Sequence, residues 1–351
     1  MNRNYVGRSN AEIGIVLATY RPRIDFLKQQ LNSIRQQTIR NWFCVITDDA
    51  SPREFIEEIT NCIKDDERFF LLTNEEQVGP YFNFERGLRF LLENQNVDLI
   101  AFSDQDDLWF EKKLEIQKKA LSKSKFSLVH SDLIIIDSNG DILSESCWKH
   151  EKRNVKLNRP EDLVLRNVVT GCSMMIKRQL ALKALPFPKQ RIPPVFHHDT
   201  WIALVSSFED GVRSIHNPLL AYRQHDHNVV GPANYGPVTR SLLQIEDIKA
   251  FLRSCLHCYL TAFVLISTAI EHTQNFRNFG IFSSNFIPSA VSFPRLLLYS
   301  ALNPVQGRYY VKAIIGCICF FLIKNLLGKN EVEKRIAFTK EVIFPQIHRS
   351  Q

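Results

Sequence analysis

Six aspartates and a histidine pair define the chemistry this chain could carry. The stretch DLIAFSDQDDLWF, Asp98 to Phe110, runs from an apolar, strand-like segment into Asp104, Asp106 and Asp107. Carboxylates this close repel one another and resist desolvation, so a neutral core gains nothing from them and a cation is the expected visitor. On a turn after a strand, the Asp104-Gln105-Asp106 spacing can bring carboxylate oxygens to one side, a hard-oxygen site suited to Mg2+ or Mn2+. Such ions are held by one or two carboxylates plus a substrate's phosphates, so a metal bridged to a diphosphate is the natural occupant, neutralising charge on a departing group. A second acidic pair, Asp48-Asp49, closes ITDDAS, and His197-His198-Asp199 stands immediately before an apolar helical segment.

These residues must be delivered by ordered elements. IGIVLATY (13–20) is an apolar, β-branched run suited to a buried strand, and Phe26, Leu27, Leu31 and Ile34 after it recur at helical spacing. WFCVITDDAS repeats the strand, REFIEEITNCIK reads as a helix, and FFLLTN as a short strand. After a loop holding Gly79 and Pro80, NFERGLRFLLEN reads as a third helix that leads into the strand DLIAFSD. Strand and helix alternate four times, which predicts a doubly wound α/β sheet whose ligands gather beyond the C-terminal strand ends. Asp48 and Asp49 end the second strand, and Asp104, Asp106 and Asp107 the fourth. Either pair alone fits a solvated loop or a helix N-cap, but together at one sheet edge they predict a shared crevice. Further on, SLVHSDLIIIDSNGDIL reads as two strands around the turn Asp137–Asp141. Thr170-Gly171-Cys172-Ser173 is a small-residue turn ahead of a strand and a helix. VFHHDTWIALVSSF is a buried helix with Trp201, Leu204 and Val205 inward, and NPLLAYRQHDHNVVG is a strand ending in Arg and His. Trp109 and Trp201 read as packing residues in preference to sugar platforms.

The bulk composition fits a folded chain of one large domain or two: 351 residues, 45% hydrophobic, 23% charged. The net charge of +7 is concentrated at the C-terminal end, where residues 241–351 hold twelve Lys or Arg against six Asp or Glu, a balance of +6. Lipid head groups, nucleic acid and acidic partners could all answer such a tail, but the basic residues are mixed with apolar helices, which argues against nucleic acid. The eight cysteines lack disulfide-scaffold spacing, so reduced thiols in a cytosolic protein are expected, and Cys255 and Cys258 read as buried on an apolar helix. The polar start MNRNYVGRSNAE has no signal-peptide core. Between Lys312 and Lys324 only eleven apolar residues intervene, against roughly 20 needed to span a bilayer. That segment fits either an interfacial helix on a membrane or a helical bundle packed on the rest of the chain.

Taken in order, VLATYRP, ITDDAS, VGPYFNFERGL, FSDQDDLW, TGCSMMIKR, HHDTW and YRQHDHNVVG resemble the motifs of family 2 glycosyltransferases of the GT-A fold, across roughly residues 11–231. The nearest resemblance is to the rhamnosyltransferase-like branch that builds bacterial surface polysaccharide such as O-antigen or capsule. It implies a GT-A catalytic domain over 11–231, with a doubly wound mixed sheet, and a mainly helical region over 232–351. It further implies metal-dependent, inverting transfer of a sugar from a nucleotide-sugar donor, of dTDP-rhamnose or UDP-hexose type, to a hydroxyl of a glycan acceptor, which the family lets be polyprenyl-diphosphate-linked. Thr19, Tyr20 and Arg21 would line the base and diphosphate, and Asp48 or Asp49 would accept from the pyrimidine or ribose. Asp104 would face the ribose and metal, Asp106 would be the firmest ligand of Mn2+ or Mg2+, and His225 a third ligand or diphosphate contact, with Arg223 adding positive charge. Asp199 would be the general base, since an inverting transfer needs a carboxylate opposite the departing phosphate. The family often carries Glu-Asp where this chain has His198-Asp199. Asp199 also fits a helix N-cap, and His225 and His227 surface or structural roles. The implied setting is cytoplasmic, peripheral on the inner face of the cell membrane. Competing readings are a sugar-phosphate nucleotidyltransferase, against which LATYRPRID lacks the glycine-rich signature, and a non-catalytic nucleotide-binding scaffold, against which stands the joint presence of Asp106 and Asp199.

Overall fold

The structure is a computed structural model and describes residues 11–156, 158–190, 196–226 and 329–343, with isolated helical positions between the last two segments. Its first half alternates as expected: β1 (Ile13–Thr19), α1 (Ile24–Arg35), β2 (Trp42–Asp48), α2 (Arg53–Ile63), β3 (Phe69–Thr73), α3 (Gly79–Asn94) and β4 (Leu99–Ser103). Then follow β5 (Leu108–Trp109), α4 (Lys113–Ser122), β6 (Leu128–Ile136), β7 (Ile142–Ser144), α5 (Cys147–His150) and α6 (Pro160–Leu165). A 3-10 turn at Gly171–Ser173 leads to β8 (Met174–Lys177), α7 (Arg178–Ala184), α8 (His198–Glu209) and β9 (Val212–Arg223).

The strands form one mixed sheet in the order β3-β2-β1-β4-β8-β6-β9-β5, with β7 on β6. β3, β2, β1 and β4 run parallel, β8 lies antiparallel to β4, and β6 and β9 pair parallel beyond it. Parallel strands covered on both faces need continuous apolar runs, and β1 and β2 comply: Ile13, Ile15, Val16, Leu17, Cys44, Val45 and Ile46 are all fully buried. Helix α3 lies close against this pair. A Cβ at Gly87 would come within 2.5 Å of Val16 and 2.9 Å of Thr47, so only glycine admits that approach.

The expected loop at Gly79-Pro80 is instead the first turn of α3. Proline suits a first turn because the missing N–H has no intrahelical partner there. The hairpin around Asp137–Asp141 forms as β6 and β7. The two-residue strand β5 had no signal of its own; it pairs antiparallel with Leu220 and Ala221 of β9, which draws the turn after β4 onto the end of β9.

Residues up to His150, Val169–Phe187 and Phe196 onward to Asp226 belong to one compact unit, which contains the whole sheet. Glu151–Val168, Pro188–Gln190 and the helix Lys329–Ile343 belong to a second. Within that second unit Glu151 pairs with Arg153 at 2.7 Å and accepts, through its carbonyl, from Arg166 at 2.6 Å. No helix among the described residues is long and apolar enough to cross a membrane. Cys255, Cys258, His227 and nearly all of 313–323 lie outside the described residues.

Candidate active site

The C-terminal ends of β1, β2 and β4 converge, as expected for a doubly wound sheet. At the end of β1, Thr19 donates its hydroxyl to Asp48 Oδ2 at 2.8 Å. The other Asp48 oxygen accepts the Ser51 amide at 2.7 Å, and the Ser51 hydroxyl donates to Asp48 Oδ2 at 2.8 Å while accepting the Arg21 amide at 2.8 Å. Arg21 (φ 41°) and Ala50 (φ 61°) both occupy the left-handed region, which side chains other than glycine rarely adopt. Two strained turns are thus tied together through Ser51 and Asp48. Arg21 is exposed, its guanidinium 5.3 Å from the Tyr20 ring centroid.

Asp49 has a different employment. Its carboxylate accepts the amides of Val78 and Gly79 at 2.8 Å each and the Asn74 side chain at 2.9 Å. The free N–H groups at the start of α3 are satisfied this way, and the charge is favourably placed at the helix's positive end. Both Asp48 and Asp49 are buried, and the hydrogen bonds they accept from protein donors fix the turns at the end of β2 and the start of α3.

The acidic turn after β4 is built from three carboxyls in unlike surroundings. Burial, then the charge of Asp106, then that of Asp199 push the Asp104 carboxyl up to about 7. Asp106 is raised by burial, and His225 Nε2, 2.7 Å from its Oδ2, works against the rise. Asp107 is fully buried beneath them; its Oδ1 accepts the Arg223 amide at 3.3 Å, and burial followed by the charges of Asp106 and Asp104 drives it well above the ordinary range. Carboxyl groups so placed favour either a proton or a cation.

Two donor sets are available here. Asp106 and His225, with Oδ2 and Nε2 2.7 Å apart, offer one oxygen and one imidazole ligand, and the charge of Asp106 is felt at Asp104. Asp104, Asp107 and Cys172 also bring ligand atoms within 4.8 Å of one another. The second set is the poorer for a hard cation, because the Cys172 thiol is fully buried and held protonated, its acidity suppressed first by burial and then by the two aspartates.

Arg223 lies 2% exposed with its guanidinium over the Phe26 ring, 4.3 Å from the centroid. Its Nε donates to the Asp106 carbonyl at 3.0 Å, Nη1 to the Ser138 carbonyl at 3.3 Å and Nη2 to Gln29 Oε1 at 2.8 Å. The guanidinium therefore braces the backbone of the acidic turn, while its positive charge favours the ionised forms of Asp106 and Asp107.

Asp199 stands in the first turn of α8, half-buried, its Oδ2 accepting the Gly171 amide at 3.1 Å and its Oδ1 the Thr200 amide at 2.5 Å. Because its charge raises Asp104, the three carboxyls of Asp104, Asp106 and Asp199 occupy one electrostatic neighbourhood. His198 beside it is buried, stacked on Phe84 at 3.7 Å between centroids, and burial pushes its imidazole down to about 4, so it stays neutral. Where a glutamate would add a second charge, Asp199 has an uncharged ring as its neighbour.

Several participants carried no signal in the sequence. Gln105 accepts the Tyr20 amide at 2.9 Å, Ser51 links the two strained turns, and the phenol of Tyr222 is pushed well above its usual range by burial and then by the acids beside it. Lys113, fully buried, sits 3.8 Å over the Trp109 ring with its ammonium 3.0 Å from Gln117, and burial lowers it to about 7. Trp109 and Trp201 are buried packing residues, as expected.

Comparison with known proteins places this arrangement. An uncharacterised glycosyltransferase of Methanocaldococcus jannaschii is 28% identical over 202 residues, covering 56% of this chain and 65% of its own. The Escherichia coli UDP-Glc:alpha-D-GlcNAc-diphosphoundecaprenol beta-1,3-glucosyltransferase WfgD is 25% identical over 179 residues, covering 50% of this chain and 64% of its own. The chain thus spans slightly less than two thirds of either relative. Among solved structures, S. aureus TarS 1-349 in complex with UDP-GlcNAc superposes with a TM-score of 0.51 at 11% identity, covering 87% of this chain and 89% of that one, which shows a shared GT-A-like fold. Residues 15–181 match the family model for glycosyl transferase family 2, so that segment of the chain is a glycosyl transferase family 2 domain.

Proposed function

We propose that this protein is an inverting, metal-dependent glycosyltransferase that moves a sugar from a nucleotide-sugar donor to a glycan hydroxyl in surface-polysaccharide assembly. The observation that supports the reading is that Asp106 and Asp199 lie near enough to Asp104 for both charges to act on it, which together with burial raises it to about 7. Left without a cation, Asp104 keeps its proton well above the ordinary carboxylate range. Asp106 and Asp104, with His225, would hold Mn2+ or Mg2+, whose service is to offset the charge of a departing nucleoside diphosphate. The turn Thr19–Arg21 and the loop around Ser51 line the nucleotide's side of the crevice. Asp199, oriented by the Gly171 amide, takes the proton from the attacking acceptor hydroxyl. Its neutral neighbour His198 adds no competing charge.

The name of the E. coli relative specifies UDP-glucose and a diphosphoundecaprenol-linked sugar. A polyprenyl-diphosphate-linked acceptor fits this chain in the same way, with a peripheral position at the inner face of the membrane and the domain limits 11–231 and 232–351. The experiment is a screen of nucleotide sugars, dTDP-rhamnose and UDP-hexoses included, for Mn2+-dependent hydrolysis or transfer by the purified chain. Asp106→Ala is expected to abolish metal-dependent binding of the nucleoside diphosphate, and Asp199→Asn to leave that binding intact while turnover collapses. Full nucleotide binding with Mn2+ in the first variant, or an active second one, would remove the corresponding assignment.

A further inference from the structure

The residue between the two acids of the Asp104-Gln105-Asp106 turn makes a contact of its own. Gln105 is half-buried, and its Oε1 accepts the Tyr20 amide at 2.9 Å across 85 residues of chain. Because the partner is an N–H, the side-chain oxygen has to be the atom that faces it, so the amide group has one orientation. The residue after Tyr20 is Arg21 at φ 41°, a conformation that relaxes unless its surroundings hold it.

Two kinds of tether hold that turn. One runs sideways to the loop after β2: the Arg21 amide to Ser51, Ser51 to Asp48, and Thr19 to Asp48. The other runs through Gln105 to the acidic turn after β4. Any displacement of the backbone at 104–106 is therefore passed to Tyr20, and any reordering of 19–21 is passed back. From this geometry we infer that Gln105 is a positioning residue, a clamp that makes the nucleotide-lining turn and the metal-binding turn order together. The inference rests on the proposed nucleotide and metal site and adds to it a residue that acts through its side-chain oxygen on the backbone of Tyr20. Its thermodynamic consequence is reciprocal: a cation that fixes the acidic turn favours nucleotide binding through the clamp, and nucleotide favours the cation equally.

The test uses Gln105→Leu and Gln105→Met, which lack the acceptor, and Gln105→Glu, which keeps an oxygen within reach of Tyr20. Amide hydrogen exchange of the full chain without ligand reads the clamp directly. Exchange at Tyr20 and Arg21 is expected to accelerate about tenfold in the Leu and Met variants and to return toward wild type in the Glu variant. Titration with uridine and thymidine diphosphates in Mn2+ is expected to show affinity three- to tenfold weaker in the Leu and Met variants, the effect of one lost hydrogen bond. Unchanged protection of Tyr20 in both acceptor-free variants, or failure of the Glu variant to restore it, overturns the clamp. If instead the wild-type chain binds neither diphosphate with Mn2+, the proposed function fails while the exchange result still decides the clamp.

Discussion

Gly171→Ala tests the geometry around the proposed base most sharply. A Cβ at this position would lie 2.5 Å from His198 Nε2 and 2.8 Å from its Cε1. Restoring the 3.5–4.0 Å spacing of ordinary carbon contacts requires a retreat of about 1 Å. The imidazole has little room to give, since Phe84 stacks on it at 3.7 Å and Phe102 stands 5.6 Å away. Overpacking a filled site of this kind costs about 1–3 kcal/mol. For a chain of 351 residues each kcal/mol lowers Tm by about 1–2 °C. Because the Gly171 amide also orients Asp199, the same displacement is expected to reduce turnover by up to about 100-fold with nucleoside-diphosphate binding little changed. Urea unfolding of Gly171→Ala, His198→Ala and the double variant closes a cycle. Removing the ring makes room for the methyl, so the double variant should be more stable than the sum of the single effects by at least about 1 kcal/mol. Additivity to within about 0.5 kcal/mol would refute the contact as the cause.

The raised carboxyls predict a pH dependence whose sign is unusual for aspartate. Asp104 moves from 3.8 to about 7 in the folded chain, and Asp107 moves in the same direction, so the folded state holds protons that the unfolded state has released. The metal-free chain should therefore lose stability as pH rises from about 4 to about 7, and Asp104→Asn should flatten the slope; urea midpoints at several pH values measure it, and a flat wild-type profile would contradict the burial of these groups. Saturating Mn2+ should flatten the same slope, because the cation replaces the protons. Arg223→Lys should destabilise the fold nearly as much as Arg223→Met, since one ammonium cannot reproduce bonds from three guanidinium nitrogens to Asp106, Ser138 and Gln29, and a wild-type urea midpoint for the Lys variant would refute the bracing role.

Much of the framework was legible in the chain because it is written in local patterns. The apolar runs of β1 and β2 and the helical spacing of α1 and α8 follow from burial at periods of two and 3.6, and alternation of strand with helix implies that strand ends share an edge. That is why Asp104, Asp106 and Asp199 could be assigned to one region from residue order and family resemblance. The start of α3 was misplaced because its cap is Asp49, some 30 residues upstream, and local spacing carries no trace of a cap supplied from so far away.

What each side chain does once it arrives was decided by the tertiary structure alone. Asp48 and Asp49 look like free ligands on a strand end, yet folding places backbone amides against them. Arg223 looks like a cation for phosphate, yet its fork closes on carbonyls. Gln105 looks like a spacer between two acids, yet it reaches Tyr20. A hydrogen bond between groups 30 to 194 residues apart depends on positions fixed by the packing of the whole sheet, and residue type sets only what a group can donate or accept. The sequence determined the chemistry on offer, and the fold determined which atoms were left free to use it.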